Sequence, residues 1–527
     1  MLKNNMAFVM LSWLCENLTA IVTSIAVVVL AAVIIRLTKT KAKKATAPPL
    51  PPGPRGLPLV GYLPFLGTDL YKSLTKLADA YGPIYKFWLA NKLFVVVSSS
   101  SIAKEMVRDK DTIFSNRQTT VATLTPTLGG NDIVFSPYGA QWRRLRKAMV
   151  GEMMTNSSLD SCSALRKQVL KNTIRDLYNN KIGKPVDIGE LSVSTSVNAL
   201  ENMLWGGGTG SGAHKDHTLE MKQLLDDIME LQGVPNISDI FPVLSRFDLQ
   251  GVERKCKEIA LWVEKIFNSA IEKRKNLIAK GTLKFDGRNK DFLQTFIEML
   301  DSEDSSISLN RTELIALLLD IILGGTDTTT TIMEWTLTKL LQFPVEMKKV
   351  QAELAEVVGL NNNVEESHLP KLKCLDATVK ETFRLHTPSK LLPPRTPSQT
   401  TTLGGYTIPK GTTVILNLGT IHTDPQLWDN PLEFRPERFL NDPDKFDYTG
   451  NNFQYLPFGS GRRICAGLPL AERLVMFVLA SLLHSFDWRL PYGEKLDLSY
   501  KYGQVIKKKK SLVAVPKPRL ANSELYK

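Results

Sequence analysis

Cys465 stands in the stretch FGSGRRICAG, Phe458 to Gly467, among glycines and two arginines and just ahead of a long apolar run. A thiol at the first turn of a helix meets unpaired N–H groups and a partial positive charge, which favour the thiolate. Gly459, Gly461 and Gly467 withhold side chains where the main chain turns sharply or must let a flat object approach. Arg462 and Arg463 supply charge for an anion. These residue types suit a thiolate ligating a metal inside a flat macrocycle with acidic substituents. The other uses of a lone cysteine are a small buried hydrophobe, a zinc ligand or a nucleophile. No CxxC occurs, His484 falls at the far end of the same helix, and no base for a nucleophile is evident.

Two more groups have spacing that could do chemistry. In KETFRLH, Glu381 and Arg384 lie at i, i+3 on one helix face, able to pair. In LLLDIILGGTDTTTT an apolar helix carries Gly324-Gly325 and then Asp327-Thr328. Glycines inside a helix cost about 1 kcal/mol each relative to alanine, so they mark close packing or an opening. An acid beside an alcohol is a pairing that passes protons. The run Gly208 to Ala213 matches GxGxxA, but the preceding NALENMLW reads as helix, whereas a dinucleotide turn needs a strand there. Those glycines are read as loop.

Long helices are needed to position such groups. Apolar residues recur at i, i+3, i+4 in QWRRLRKAMV, LEMKQLLDDIMELQ, TELIALLLDIIL and LAERLVMFVLASLLHSF, among others. PIYKFWLANKLFVVVSS and TTVILNLGT read as strands. The prediction is mainly α: one large helical domain over 59–527 with small β-sheets, and surface loops at Trp205–His217 and Lys280–Asp291. A hydrophobic content of 43% fits a globular body with a sizeable core. Five dispersed cysteines exclude a disulfide framework and point to a reducing compartment. The formal charge of +13 suits an anionic membrane surface, an acidic protein partner or nucleic acid.

From Asn17 to Ile35 no charge occurs. As a helix that run reaches roughly 28 Å, close to a bilayer core. Arg36, Lys39, Lys41, Lys43 and Lys44 follow it, so the positive-inside rule predicts a lumenal segment 1–16, an anchor 17–36 and a cytosolic body. Residues 37–58 form a basic, proline-rich hinge, expected to be a stiff extended spacer.

Phe458, Gly461, Arg463, Cys465 and Gly467 match FxxGxRxCxG at every fixed position, and with the motifs above the chain resembles the cytochrome P-450 family, the haem-thiolate monooxygenases. The resemblance implies haem b with Cys465 as its axial iron ligand. It implies a buried network of Glu381, Arg384 and, from EFRPERF, Arg438, and a proton relay through Asp327 and Thr328. Trp142 and Arg146 of QWRRLRK, Arg395 of LLPPRTP, and Arg463 would hold the haem propionates. Leu124, Leu128, Leu323, Gly324, Leu391, Leu392 and Val505 would line the substrate space. Arg143, Arg144 and Lys147 would offer a basic face to an acidic reductase, and Lys507 to Lys510 reads as a solvated hairpin edge. O2 and NADPH are the expected co-substrates. Electrons would come through a separate NADPH–cytochrome P-450 reductase, since no flavin or nicotinamide fingerprint is present. The family resemblance removes nucleic acid as a partner. Wording such as LPPGPRGLPLVGYLPFLGTD resembles plant endoplasmic-reticulum members that oxidise sesquiterpenes and flavonoids, which implies a single-pass protein of that membrane acting on an apolar molecule. Lys390 departs from the family, standing where proline is usual near the substrate. A haem-thiolate isomerase or dehydratase and a non-catalytic membrane scaffold are the alternatives from other classes.

Overall fold

The computed structural model describes residue 27 and residues 48–527 apart from 207–213, 234, 283–290, 301, 303, 305, 306 and 442–444. The predicted lumenal segment, the anchor except Val27, the hinge up to residue 47 and the centres of both predicted loops lie outside the described residues. The helices that position the site are α1 (Leu70–Tyr81), α2 (Ala140–Ala148), α3 (Ile188–Trp205), α4 (His214–Gly233), α5 (Val252–Ala279), α6 (Arg311–Gln342), α7 (Lys373–His386) and α8 (Leu468–Ser485). The strands that bear on the site are β1 (Ile84–Leu89), β2 (Lys92–Val97), β3 (Asn116–Arg117), β4 (Arg395–Thr396), β5 (Thr413–Leu416), β6 (Tyr500–Lys501) and β7 (Lys507–Lys508).

Helix α6 is the axis of the fold. Its start is a capping box: Asn310 Oδ1 accepts from Glu313 N at 2.9 Å and Glu313 Oε2 from Asn310 N at 3.0 Å. The helix is then buried on nearly every side, its apolar residues and also Asp320, Asp327, Glu334 and several threonines lying inside the protein. One apolar core forms around Phe267, Phe296 and Leu318, and another around Tyr455, Phe477 and Leu483. Both α6 and α8 are long and apolar enough to cross a bilayer, but 78% and 72% of their most apolar stretches are buried within the protein, which makes them core helices.

The five-stranded sheet has the order β1-β2-β5-β4-β3, parallel only between β2 and β5. Its register sets Arg117 of β3 directly opposite Arg395 of β4. The described part of the proline run is pinned along β1, more firmly than a spacer would be: Pro52 O accepts from Lys86 N at 2.7 Å and Lys86 Nζ donates to Pro51 O. Gly53 permits this contact, because a Cβ there would fall 1.8 Å from Lys86 O.

Glu381 and Arg384 on α7 form a doubly bonded pair at 2.7 and 2.8 Å, both wholly buried. The remaining Arg384 donors reach the carbonyls of His422 at 2.8 Å, Pro431 at 2.7 Å and Glu433 at 3.1 Å. Glu381 also accepts from Arg435 N at 2.9 Å and from Arg438 Nε at 3.4 Å. One charge pair thus fastens an otherwise irregular segment. Next to it, His422 Nε2 accepts from Leu456 N at 3.0 Å, which requires the neutral ring. Burial, reinforced by the Arg384 charge, pushes His422 down to about 3.

Two outcomes are expected. Glu381→Ala strands a buried guanidinium and should lower unfolding free energy by about 3–5 kcal/mol in denaturant titration. Because His422 is held below its ordinary value, its contribution is complete above pH 6.5 and declines as pH falls toward 3. The slope should reach about 1.4 kcal/mol per pH unit and should flatten in His422→Gln.

Candidate functional site

The loop before α8 brings Cys465 to the floor of a cavity of about 310 Å³. Cys465 N donates to Phe458 O at 3.0 Å, and the turn is completed by Gly459 (φ 73°) and Gly461 (φ 68°). At Gly461 a Cβ would meet Val107 O at 2.3 Å, so no other residue fits. The Cys465 side chain is exposed, but to the cavity and not to bulk solvent. Burial pushes its thiol up, while the Gly467 N–H, the Arg146 charge and the Leu468 N–H pull it down. Burial is the stronger influence, so the thiol stands above its ordinary value although the helix start pulls toward the thiolate as the sequence predicts.

Four guanidiniums border the same space: Arg117, Arg146, Arg395 and Arg463. Arg117 was not evident in sequence, since SNRQTT has no spacing signal; only the β3–β4 register reveals it. Arg146 donates to Ile464 O at 2.8 Å. Arg395 Nη2 donates to Ser460 O at 3.0 Å, and its buried Nη1 is ion-paired with Asp111 Oδ1 at 3.5 Å. Burial lowers Arg395 to about 10, and burial with the Arg395 and Arg463 charges lowers Arg117 well below its usual range. Like charges facing each other across two strands are destabilising, so this cluster calls for an anion. Arg463 differs from expectation: its Nε, Nη1 and Nη2 donate to the carbonyls of Ser115, Ile133 and Ser136 at 2.7, 2.9 and 2.6 Å, which commits them to the main chain. Arg462 turns away to Asp111 at 2.8 Å.

Trp142 is not in the cavity wall. Its Nε1 donates to Ile133 O at 3.0 Å, and its ring lies under the guanidiniums of Arg463 and Arg146, with 4.6 and 5.5 Å from the ring centre to the guanidinium carbons. Arg144 pairs with buried Glu313, leaving Arg143 and Lys147 as the exposed members of that helix face.

On α6 the two glycines divide the work. A Cβ at Gly325 would lie 2.9 Å from Leu200 Cδ1 of α3, so this glycine serves packing. At Gly324 nothing lies within 4 Å, and the position opens on the cavity. Thr328 Oγ1, also in the wall, donates to Gly324 O at 2.6 Å. Asp327 is buried and its carboxyl is pushed up by burial, against the pull of Lys507. Lys507 Nζ lies 2.7 Å from Asp327 Oδ2, off the hydrogen-bond direction, and 3.5 Å from Asp226. Lys507 is therefore a partner of the acid and not a solvated edge residue, and Lys508 is buried with Nζ 4.5 Å from the centre of the Trp335 ring.

Of the residues expected to line the substrate space, Leu323, Gly324, Leu392 and Val505 border the cavity. Leu124 packs beside Gly130, Leu128 joins the core around α5, and Leu391 packs with Tyr85 and Phe87. Lys390 also points elsewhere, its Nζ 4.7 Å from the centre of the Tyr71 ring and 5.5 Å from that of Tyr500. Asp320, unremarked in sequence, lines the wall and accepts from Ile133 N at 2.7 Å, tying the loop before α2 to α6.

These residues fit a haem. The thiol faces the cavity, glycines leave room beside it, and the guanidiniums at its border outnumber the acids beside them. Arg117, Arg146 and Arg395 would hold the carboxylates.

Comparison with known proteins agrees. The family model described as Cytochrome P450 matches residues 51–515. A flavonoid 3'-monooxygenase of Crocosmia x crocosmiiflora is 36% identical, covering 92% of this chain and 95% of its own. A geraniol 8-hydroxylase of Swertia mussotii is 37% identical, covering 89% and 94%. A zebra fish cytochrome P450 solved with abiraterone superposes with a TM-score of 0.71 at 24% identity, over 85% of this chain and 99% of that one, which bears on the fold.

The two glycines should separate experimentally. Gly324→Ala should gain about 1 kcal/mol of helix stability. Gly325→Ala should lose that gain to the Leu200 contact, leaving the two variants about 1–3 kcal/mol apart in denaturant titration of the haem-free chain.

Proposed function

The chain belongs to the cytochrome P450 family and is a monooxygenase; from that premise we propose that it hydroxylates an apolar plant secondary metabolite, a terpenoid first and a flavonoid second. O2 and NADPH are the co-substrates, with electrons delivered by a separate membrane-bound reductase to a protein anchored in the endoplasmic reticulum. The observation that carries this reading is a single thiol on the floor of a cavity walled largely by apolar side chains, with an acid–alcohol pair on the adjoining helix. Bound there, haem b supplies oxygen activation at a thiolate-ligated iron, as in haem-thiolate proteins generally.

The chain's own residues do the rest. Cys465 is the ligand, and the Gly467 and Leu468 N–H groups stabilise negative charge on its sulfur. Leu323, Leu392, Ile133 and Val505 exclude water and press an apolar substrate against the reacting face. Thr328 Oγ1 rotates from Gly324 O to present its proton, and Asp327 Oδ2 replaces it from the surface side where Lys507 sits. The aliphatic character of the wall favours a terpenoid, in keeping with the geraniol 8-hydroxylase relative, and the flavonoid 3'-monooxygenase relative supports the second class.

Membranes holding this chain and a reductase, fed a panel of terpenes and flavonoids, should yield a product one oxygen heavier by mass spectrometry; no product from either class would remove the substrate reading. Thr328→Ala should keep the ferrous–carbon monoxide band while releasing more hydrogen peroxide per NADPH consumed. Unchanged coupling would remove the relay.

A further inference from the structure

The roof of the cavity carries two carboxamides that no step above uses. Gln232, on the last turn of α4, and Gln504, in the turn between β6 and β7, both border the space otherwise walled there by Met229 and Val505. The Gln232 Nε2 is buried without a hydrogen-bond partner. Gln504 makes no side-chain hydrogen bond among the described residues. An unpaired buried amide donor is destabilising, so a protein that keeps one beside its cavity has reason to.

The backbone is arranged to bring the two together. Gly233 and Gly503 meet at their main chains: a Cβ on Gly233 would lie 3.5 Å from Gly503 Cα and 3.9 Å from Gln504 N. The turn is further held by Ile506 N donating to Pro388 O at 2.8 Å, and by Lys507, which reaches Asp226 on α4 and Asp327 on α6. The roof is therefore a fixed wall and not a loose flap.

We propose that Gln232 and Gln504 form a carboxamide clasp for an oxygen function of the substrate, so that the molecule taken is an apolar skeleton already bearing an alcohol or carbonyl. Nε2 donates to that oxygen, and an amide oxygen accepts from a hydroxyl where one is present. The clasp anchors the oxygenated end in the roof and sends the apolar remainder toward Cys465, which makes these specificity-determining residues: they select the substrate and fix which carbon is presented. This rests on the monooxygenase reading with substrate held in the same cavity, and it narrows that reading from hydrocarbons to oxygenated molecules.

The test uses the haem-loaded full chain and three matched pairs of probes: geraniol with myrcene, farnesol with farnesene, and a hydroxylated flavanone with unsubstituted flavanone. Dissociation constants are read from the haem absorbance change in wild type, Gln232→Leu, Gln504→Leu and the double variant. For at least one pair the oxygenated member should bind wild type about tenfold or more tightly than its partner. Gln232→Leu should erase that preference by weakening the oxygenated probe, with the parent unchanged or tighter. Gln504→Leu, a separate lesion on another element, should reduce the same preference. No preference in any pair, or equal losses for both members, would overturn the clasp. The ferrous–carbon monoxide band and NADPH-dependent turnover of the wild type, read in the same preparation, report on the monooxygenase reading independently.

Discussion

A carboxylate without contact to water, Glu381, and the guanidinium it grips underlie everything that surrounds Cys465. Arg384 spends its remaining donors on three main-chain carbonyls from a segment with little regular structure. Regular ladders cannot hold such a segment, because its carbonyls face in different directions. A buried guanidinium can, since its donors spread in a plane and the low surrounding dielectric strengthens each bond. The arrangement is costly to assemble and costlier to damage, since loss of either partner leaves an uncompensated charge inside the protein.

The opposite situation holds across the cavity. There the chain gathers cations without enough anions, Arg117 facing Arg395 and both near Arg463, with Asp111 and Asp132 giving partial relief. A protein folding without its cofactor carries that repulsion unaided; with the cofactor's carboxylates in place, the same charges become a binding site. One network is complete in itself and holds the loop. The other is incomplete and selects what fills it.

Motifs with short spacing were readable from the amino-acid order: the cysteine loop, the Glu381–Arg384 pair, the two glycines with Asp327-Thr328. In each, the chemistry is local to one helix or turn. What escaped depended on distant segments meeting. Arg117 becomes visible only through strand register, and Lys507 only when a hairpin folds over α6. Leu124, Leu128 and Leu391 were assigned to the cavity by the family resemblance, but a side chain's direction is decided by local backbone, and Leu128 sits at φ 53° facing a core. Trp142 illustrates the same limit: its helix is where it was expected, and its indole is spent on a carbonyl.

Adjacent glycines on α6 face different surroundings because successive residues on a helix are turned by about a quarter circle or slightly more. The Asn310–Glu313 cap fixes where that helix begins, and with it the rotational phase of every position after it. Lengthening or shortening the chain by one residue between the cap and Gly324 would swing Leu323 or Gly325 into the place of Gly324, sealing the chamber or wedging bulk against Leu200. This helix can exchange side chains, but its count of residues is part of the machinery.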